Sequence, residues 1–188
     1  MSTGSIYEKV DFTWDEPQPL VDVPRRLTFR PVESAEDERR FLGAVTAVLW
    51  GSLDRGDQHA VATQGLEAAA RSYLDPFPIF AFERGWWHLA YDANGELVGF
   101  TQPVTYASSD RNARAEATIH YIGVLPAHRG HRYIDDLLRH TTRTLQEIGV
   151  WRIFTDTGTL NAPMIAAFER AGYQRGATHE VPLIQLRH

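Results

Sequence analysis

The sequence contains no cysteine among its 188 residues. This absence excludes disulfide bonds, a thiolate metal site and a cysteine nucleophile. A group transfer that passes through an acyl-thiol intermediate on the protein is therefore excluded as well.

Long hydrophobic runs are also missing. No apolar stretch reaches the length of a transmembrane helix, and the N-terminus lacks the basic-then-apolar pattern of a signal peptide. We therefore expect a cytoplasmic protein that binds no membrane. The formal net charge of −5 argues against general nucleic-acid binding and is compatible with a cationic small substrate.

The composition, with 43% hydrophobic and 23% charged residues, is that of a globular protein, and the length predicts one domain. Residues 1–25 contain three prolines and no persistent period. They predict an extended N-terminal arm that precedes a domain over residues 26–188. Tyr7, Phe12 and Trp14 indicate that the arm packs on a surface, either of its own domain or of a second subunit in a homodimer.

Hydrophobic periodicity and turn residues predict the order of elements in the domain. In the first half we expect a strand at 27–32, a helix from Ser34 with Asp37 in a capping box, a helix at about 58–74, and a hairpin at 86–106 around Asn94-Gly95. In the second half we expect a strand at 115–125, a helix to about 149, a strand at 151–155, a helix between Asn161 and Gly172, and one or two final strands. This order predicts an α+β fold with helices on both faces of a mixed sheet.

The most informative segment joins the strand that ends at Val124 to the helix whose apolar positions begin at Ile134. Between them lies a basic loop around Gly130, with Arg129 and Arg132 on either side. A strand, a basic glycine loop and a helix start together present free N–H groups and a positive dipole to an anion. The segment therefore predicts a phosphate-bearing ligand, although an ordinary basic crossover loop has the same pattern.

Two segments resemble motifs of the GNAT acetyltransferase superfamily. The first resembles motif A, V-x-P-x-x-R-G-x-G-x-G/A, through Val124, Pro126, Arg129 and Gly130. The second resembles motif B, N-x-x-A-I-x-L-Y-x-x-x-G-F, through Asn161, Ile165, Gly172 and Tyr173. The two motifs occur in the order and at the distance that the family shows, so together they are more specific than either alone.

The resemblance implies a GNAT-like mixed, mostly antiparallel central sheet of six to seven strands with helices on both faces, and acetyl-CoA as the acyl donor. The backbone after His120 would hold the pantetheine arm, and the glycine loop would hold the pyrophosphate. The cofactor-binding residues that it implies are Ile122, Gly123, Val124, Arg129, Gly130, His131, Arg132, Tyr133, Ile134, Asn161 and Phe168.

Two positions depart from the family pattern. Arg132 stands where the family has a glycine that lets the backbone approach the phosphates, but its guanidinium supplies donors that suit phosphate. We expect the cofactor site to be retained with changed contacts, and Asp135 and Asp136 to point away from it. Phe168 stands where the family often has a tyrosine that acts as general acid.

The activity that the resemblance implies is acetyl-CoA-dependent N-acetylation of a small-molecule amine by direct attack in a ternary complex. Because Phe168 has no proton to give, the role of the general acid would fall to water, to Tyr121 or Tyr133, or to no group. The alternative is a catalytically weak or inactive CoA-binding or partner-binding module, which the changes at Phe168 and Arg132 would suit.

His120 and Glu116 are the candidate general bases. Strand alternation predicts that they share one face with Thr118, Ile122 and Val124. A catalytic histidine of the family occupies the position that matches His120, and an imidazole can accept a proton near neutral pH. The alternatives are a histidine satisfied by a neighbour and a glutamate at a solvated strand end.

The resemblance also places the acceptor pocket between the first two helices and the hairpin. The pocket would be lined by aromatic residues and would hold an acid that attracts an amine, although each residue could also be an ordinary core aromatic or loop acid. The candidates are Phe77, Phe80, Phe82, Trp86, Trp87, Asp54, Asp57 and Asp75. We expect no metal site, because the histidines show no convincing ligand spacing.

Overall fold

The computed structural model describes residues 6–15, 19–110 and 115–182. Its strands are β1 (Ile6–Asp15), β2 (Thr28–Pro31), β3 (Phe80–Ala81), β4 (His88–Tyr91), β5 (Leu97–Asp110), β6 (Ala115–Val124), β7 (Arg152–Gly158) and β8 (Gln174–Pro182). Its helices are α1 (Ala35–Trp50), α2 (Arg55–Gln64), α3 (Leu66–Ser72), α4 (Tyr133–Glu147) and α5 (Ala162–Arg170). Across these ranges, every helix is too short or too polar to cross a bilayer.

All the strands belong to one sheet, in the order β2-β4-β5-β6-β7-β1-β8, with β3 attached to β5. β6 and β7 are parallel, and the other described pairs are antiparallel. The predicted α+β class with a mostly antiparallel sheet is confirmed. The described sheet has eight strands instead of six to seven, because part of the N-terminal arm joins it.

The core lies in two layers on opposite faces of the sheet. On one face, Phe41 and Val45 of α1 pack with Trp87 and Phe100 of the hairpin region. On the other face, α4 and α5 pack on β1, β6 and β7; this layer includes Phe12, Ala117, Leu138, Leu145, Ile153 and Phe168. Helices therefore cover both faces, as the sequence predicts.

β1 is inserted between β7 and β8 and runs antiparallel to both. Its apolar residues Val10, Phe12 and Trp14 are at most 2% exposed and join the α4–α5 layer. Because side chains alternate along a strand, Lys9 lies on the opposite face. The surface on which this part of the arm packs therefore belongs to its own domain.

Local signals account for several element boundaries. Ser34 and Asp37 form the predicted capping box at the start of α1. The Asn94-Gly95 turn joins β4 to β5, with Gly95 at φ 79°. The single helix predicted at about 58–74 is wrong, since Gly65 at φ 84° divides it into α2 and α3. A left-handed residue cannot continue a right-handed helix.

A pair of histidines is packed between α4 and the hairpin strands. The His140 ring stacks on Phe29 with a centroid distance of 3.6 Å, and His88 meets it edge-on at 4.5 Å. Burial lowers the pKa of His140 to about 3 and also lowers the pKa of His88. The unfolded chain therefore binds more protons than the folded one between pH 3 and about 6.5, and stability falls as the pH drops through that range.

Replacing His140 by phenylalanine should remove this loss while keeping a ring stacked on Phe29. Relative to the wild type, we expect His140→Phe to be more stable at pH 5 by about 2 kcal/mol beyond any difference seen at pH 8. Urea unfolding at the two pH values measures the effect. A stability difference that is the same at both pH values would contradict it. His179→Gln, which alters an exposed histidine, serves as the control.

Candidate active site

A cleft that could hold a ligand lies between β6 and β7. The two strands pair only at Glu116–Arg152 and Ala117–Ile153 and then separate. A cavity of about 520 Å³ opens between them, and the glycine loop and α5 also line it. A parallel pair that separates in this way exposes the backbone of β6 to a ligand, because its hydrogen-bonding groups on that side have lost their partner strand.

The predicted cofactor residues all line this cavity except one. Backbone and side chains of residues 122–124, 129–130, 132–134, 161 and 168 contribute to its wall. His131 does not line it; its ring stacks on Tyr133 at 5.5 Å, and its Nδ1 lies 3.2 Å from the His128 carbonyl oxygen.

A β-bulge interrupts β6 at His120. Gln102 of β5 is paired with Tyr121 and Pro103 with Ile119, so His120 is an extra residue between them. The alternation predicted for the strand therefore fails at this point. Ile119 and Ile122 both pack toward α4, whereas Tyr121 packs toward α1. Bulges re-aim side chains in this way, and here the bulge separates His120 from Ile122 and Val124.

The bulge places the His120 ring at the inner end of the cavity. Its ring centroid lies 5.6 Å from Tyr73 and 5.5 Å from Phe80. Burial lowers the pKa of His120 to about 4, so the imidazole is neutral at physiological pH. Glu116 lies at the closed end of the cleft, opposite Arg152, and lines neither described cavity.

Two residues of the glycine loop have positive φ angles. Gly130 has φ 86°, and Arg132 has φ 58°, the only positive φ of a non-glycine residue in the described ranges. Within those ranges no group accepts a hydrogen bond from the backbone N–H of residues 130–134. Arg132 thus adopts a left-handed conformation, which costs a non-glycine residue about 1–2 kcal/mol.

The acidic residues that follow the loop are engaged by arginines. Asp135 pairs with Arg170 at 2.6 Å and with Arg132 at 3.0 Å. Asp136 is 2% exposed, and its carboxylate lies 2.6 Å from Arg26. The cations offset both carboxylates, so the start of α4 remains a favourable place for a phosphate.

A buried carboxylate with three hydroxyl donors lies beside His120. Asp57, 7% exposed, accepts hydrogen bonds from Ser52 Oγ at 2.5 Å and from the Tyr73 and Tyr121 hydroxyls at 2.8 Å each. Burial raises the pKa of Asp57. The sequence identifies Asp57 as a candidate acid but not its tyrosine partners.

Asp54 ties the start of α2 to the far side of the cleft. Its Oδ1 accepts from the Gly56 N–H at 2.7 Å, and its Oδ2 accepts from the Gly158 N–H of β7 at 3.0 Å. The loop before α2 therefore bridges the cavity from α1 to β7.

A second cavity of about 400 Å³ adjoins the first. Tyr7, Asp75 and Phe77 lie on its wall, and five residues line both cavities: Lys9, Asp54, Asp57, Tyr73 and His120. The two cavities therefore meet at His120, where molecules bound in each would come together.

Several aromatic residues predicted for the acceptor pocket lie elsewhere. Trp87 is fully buried and stacks on Phe41 and Phe82 beneath α1. Neither tryptophan at 86 and 87 lines a described cavity. Of the predicted aromatic residues, only Phe77 lines the second cavity. Phe80 contacts the His120 ring.

Phe168 is 1% exposed and stacks on Phe12 of β1 at 4.8 Å. The position of the family's tyrosine is thus filled by a core aromatic that the inserted strand covers. The Tyr121 hydroxyl, one of the predicted substitutes, is already donated to Asp57.

One group of potential metal ligands is present in the described part of the chain. Ligand atoms of Asp11, Asp156 and His179 lie within 4.8 Å of one another. Of these residues, Asp156 pairs with the Lys9 ammonium at 2.6 Å.

The sequence was compared with known families and proteins. The profile of the acetyltransferase (GNAT) family matches residues 58–173. Streptothricin acetyltransferase of Streptomyces lavendulae is 33% identical over 85 residues, which are 45% of this chain and 42% of that protein. The match thus spans less than half of that relative.

Solved structures share the fold. A GCN5-related N-acetyltransferase from Sphaerobacter thermophilus superposes with a TM-score of 0.60 at 19% identity, over 95% of this chain and 51% of that one. A tandem GNAT protein from the clavulanic acid biosynthesis pathway superposes with a TM-score of 0.52 at 19% identity, over 98% of this chain and 56% of that one. This chain thus spans about half the length of these two proteins.

The family profile covers more than half of the sequence, and the glycine loop joins β6 to α4, as the sequence predicts. The chain therefore belongs to the GNAT acetyltransferase family.

Proposed function

We propose that the protein transfers an acetyl group from acetyl-CoA to the amine of a small molecule by direct attack in a ternary complex. The observation that carries the proposal is the meeting of two cavities at His120. The first cavity has an anion-binding loop at one end, which suits the pyrophosphate of acetyl-CoA. The second cavity is rich in carboxylates, which suits an amine.

Binding of the donor rests on the chain's own backbone. The free N–H groups of residues 130–134 and the start of α4 suit a phosphate. The exposed edge of residues 122–124 suits an extended amide-bearing chain. Acetyl-CoA, when bound, would supply the thioester carbon that an amine attacks and a thiolate that leaves.

Selection of the acceptor rests on charge. Asp54, Asp57 and Asp75 line the second cavity, where Lys9 is the one lysine or arginine among the described lining residues, so this region favours a positively charged ligand. The streptothricin acetyltransferase relative is named for an acceptor of small-molecule size, which supports the same class here.

Proton transfer falls to His120. The amine must be neutral when it attacks, and its nitrogen becomes much more acidic as its bond to the acyl carbon forms. A neutral imidazole at the junction can then accept the proton. His120 has a pKa of about 4, so its imidazole is unprotonated at neutral pH and can accept a proton from the attacking nitrogen. It is too weak a base to deprotonate a free ammonium. We therefore expect the solution pKa of the acceptor to set the pH dependence.

The donor site can be tested with two glycines at opposite ends of α4. Gly130 has φ 86° and Gly149 has φ 87°, and a methyl group added to either meets nothing within 4 Å. Each Gly→Ala change should therefore lower the free energy of unfolding by about 1–2 kcal/mol. Only Gly130→Ala should also weaken acetyl-CoA binding, by about tenfold or more, since its methyl group would separate the N–H groups from a phosphate.

Thermal unfolding with and without acetyl-CoA measures both effects. At a concentration about 100 times its dissociation constant, acetyl-CoA should stabilise the wild type by about 2.7 kcal/mol. Equal loss of this shift in Gly130→Ala and Gly149→Ala would contradict the loop assignment. A wild-type shift without acetylation of any amine would favour the alternative of a CoA-binding module without turnover, and no shift at millimolar acetyl-CoA would overturn the donor site itself.

A further inference from the structure

Lys9 is the only lysine in the sequence; the other basic residues counted with it, eighteen of nineteen, are arginines. Arginine and lysine are both cations, but lysine presents a compact ammonium on a thin stem, whereas arginine presents a broad planar fork. A chain that uses arginine everywhere else has a lysine at one position, and that position lies in the candidate active site.

The fold places Lys9 at the junction of the two cavities. It is carried by β1, opposite Gly158 of β7, and it lines both cavities together with His120. Its side chain is 21% exposed, and its Nζ lies 2.6 Å from Asp156. Burial alone would lower the pKa of Lys9, but Asp156 and Asp54 outweigh it and raise the pKa. The group is therefore an ammonium at neutral pH.

The Lys9 ammonium has more hydrogen-bond donors than Asp156 accepts. It carries three N–H groups, and Asp156 is the side chain within hydrogen-bonding distance that takes one of them. The Tyr7 ring lies 5.7 Å from Nζ and can occupy at most one more through its hydroxyl. At least one donor is thus available to a ligand in either cavity.

The surrounding charge decides which ligand group suits this donor. Asp156 neutralises Lys9, and Asp54 and Asp57 add further acidic groups beside it. A second carboxylate brought in by a ligand would be repelled by these acids. A neutral oxygen would take the hydrogen bond without that penalty, while the ammonium of the ligand would be attracted.

We propose that Lys9 determines acceptor specificity by donating a hydrogen bond to a neutral oxygen, an amide carbonyl or a hydroxyl, that lies beside the reacting amine of the acceptor. This inference rests on the proposed function, because it concerns the acceptor of the same transfer. It assigns to the inserted strand β1 a direct part in choosing the substrate, and it favours amino amides and amino alcohols over free amino acids.

Three amines of similar size test the inference: phenylalaninamide, phenylalanine and 2-phenylethylamine. The first carries a neutral oxygen beside the amine, the second a carboxylate and the third neither. We expect the highest kcat/KM for the amide. In Lys9→Met, which keeps the aliphatic stem, the ratio of kcat/KM for the amide to that for 2-phenylethylamine should fall about tenfold, the value of one hydrogen bond from a charged group.

Arg175→Met is the control. Arg175 lies on β8, pairs with Glu169 of α5 and lines neither cavity, so its replacement should leave the ratio unchanged. An unchanged ratio in Lys9→Met would overturn the inference. So would a preference for phenylalanine over its amide.

A binding measurement covers the case in which none of the three amines is acetylated. Protein labelled with ¹⁵N-lysine gives one side-chain signal, because Lys9 is the only lysine. A shift of that signal with the amide but not with 2-phenylethylamine supports the inference, and no shift with the amide overturns it. Stabilisation by acetyl-CoA, measured on the same samples, shows separately whether the donor site of the proposed function holds.

Discussion

Replacing His120 by alanine should lower kcat by about 10²- to 10⁴-fold, the usual contribution of a positioned general base. Binding of acetyl-CoA should persist, because the glycine loop and the edge of β6 beyond the bulge do not depend on the imidazole. Steady-state kinetics with any accepted amine, together with thermal shifts in acetyl-CoA, measure the two quantities separately.

The pH dependence gives a second test of His120. A histidine with an ordinary pKa near 6.5 would produce a fall in activity just below neutral pH. The pKa of His120 is lowered to about 4 by burial, so its base form is present throughout the range from pH 5.5 to 8. The wild type and His120→Ala should therefore show parallel pH profiles in that range, both rising as the acceptor amine loses its proton.

His179→Ala is the matched control, because His179 is an exposed histidine on β8 that lines neither described cavity. It should retain wild-type kcat. A His120→Ala enzyme with undiminished kcat would rule out the base role. A break in the wild-type profile near pH 6.5 that disappears in the variant would leave the base role in place but contradict the buried, neutral ring described above.

The second large effect concerns stability at Asp57. Asp57→Ala should lower the free energy of unfolding by about 3–5 kcal/mol, because it leaves three half-buried hydroxyl groups without their acceptor and each hydrogen bond to a charged group contributes about 1.5–3 kcal/mol. The losses are not additive, since the donors relax together. Equilibrium unfolding in urea measures the change.

Asp57→Asn separates the hydrogen bonds from the shape of the site. The carbonyl oxygen of asparagine can accept from Ser52 and Tyr121, which both donate to the same carboxylate oxygen, and its amide can donate to the Tyr73 hydroxyl. This variant should lose only about 1–2 kcal/mol. Equal losses in the two variants would show that the hydroxyl cluster does not carry the stability.

The elements nearest the motifs were predictable from sequence for a local reason. The strand, the loop and the helix around Gly130 follow one another along the chain, so periodicity and turn residues fix their order. The capping box at Ser34 and the turn at Gly95 are equally local. In each case the residues that make the contact are separated by only a few positions.

The residues that complete the candidate site are distant in sequence. Tyr121 and Asp57 are 64 positions apart, and Lys9 and Asp156 are 147 apart. No pattern along the chain brings such pairs together; the order of strands in the sheet brings Lys9 to Asp156, and the position of α2 beside the sheet brings Asp57 to Tyr121. The bulge at His120 is likewise set by pairing with β5, so alternation alone assigns His120 to the wrong neighbours.

The insertion of β1 has a consequence for biosynthesis. Roughly 160 residues separate the end of β1 from the start of β8, and a ribosome adds about 5–20 residues per second. After its own synthesis, β1 therefore waits roughly 8–30 s for its second neighbour. For most of that interval the apolar face formed by Phe12 and Trp14 also lacks α4 and α5, the helices that cover it in the folded protein, so this face stays exposed while the rest of the chain is synthesised.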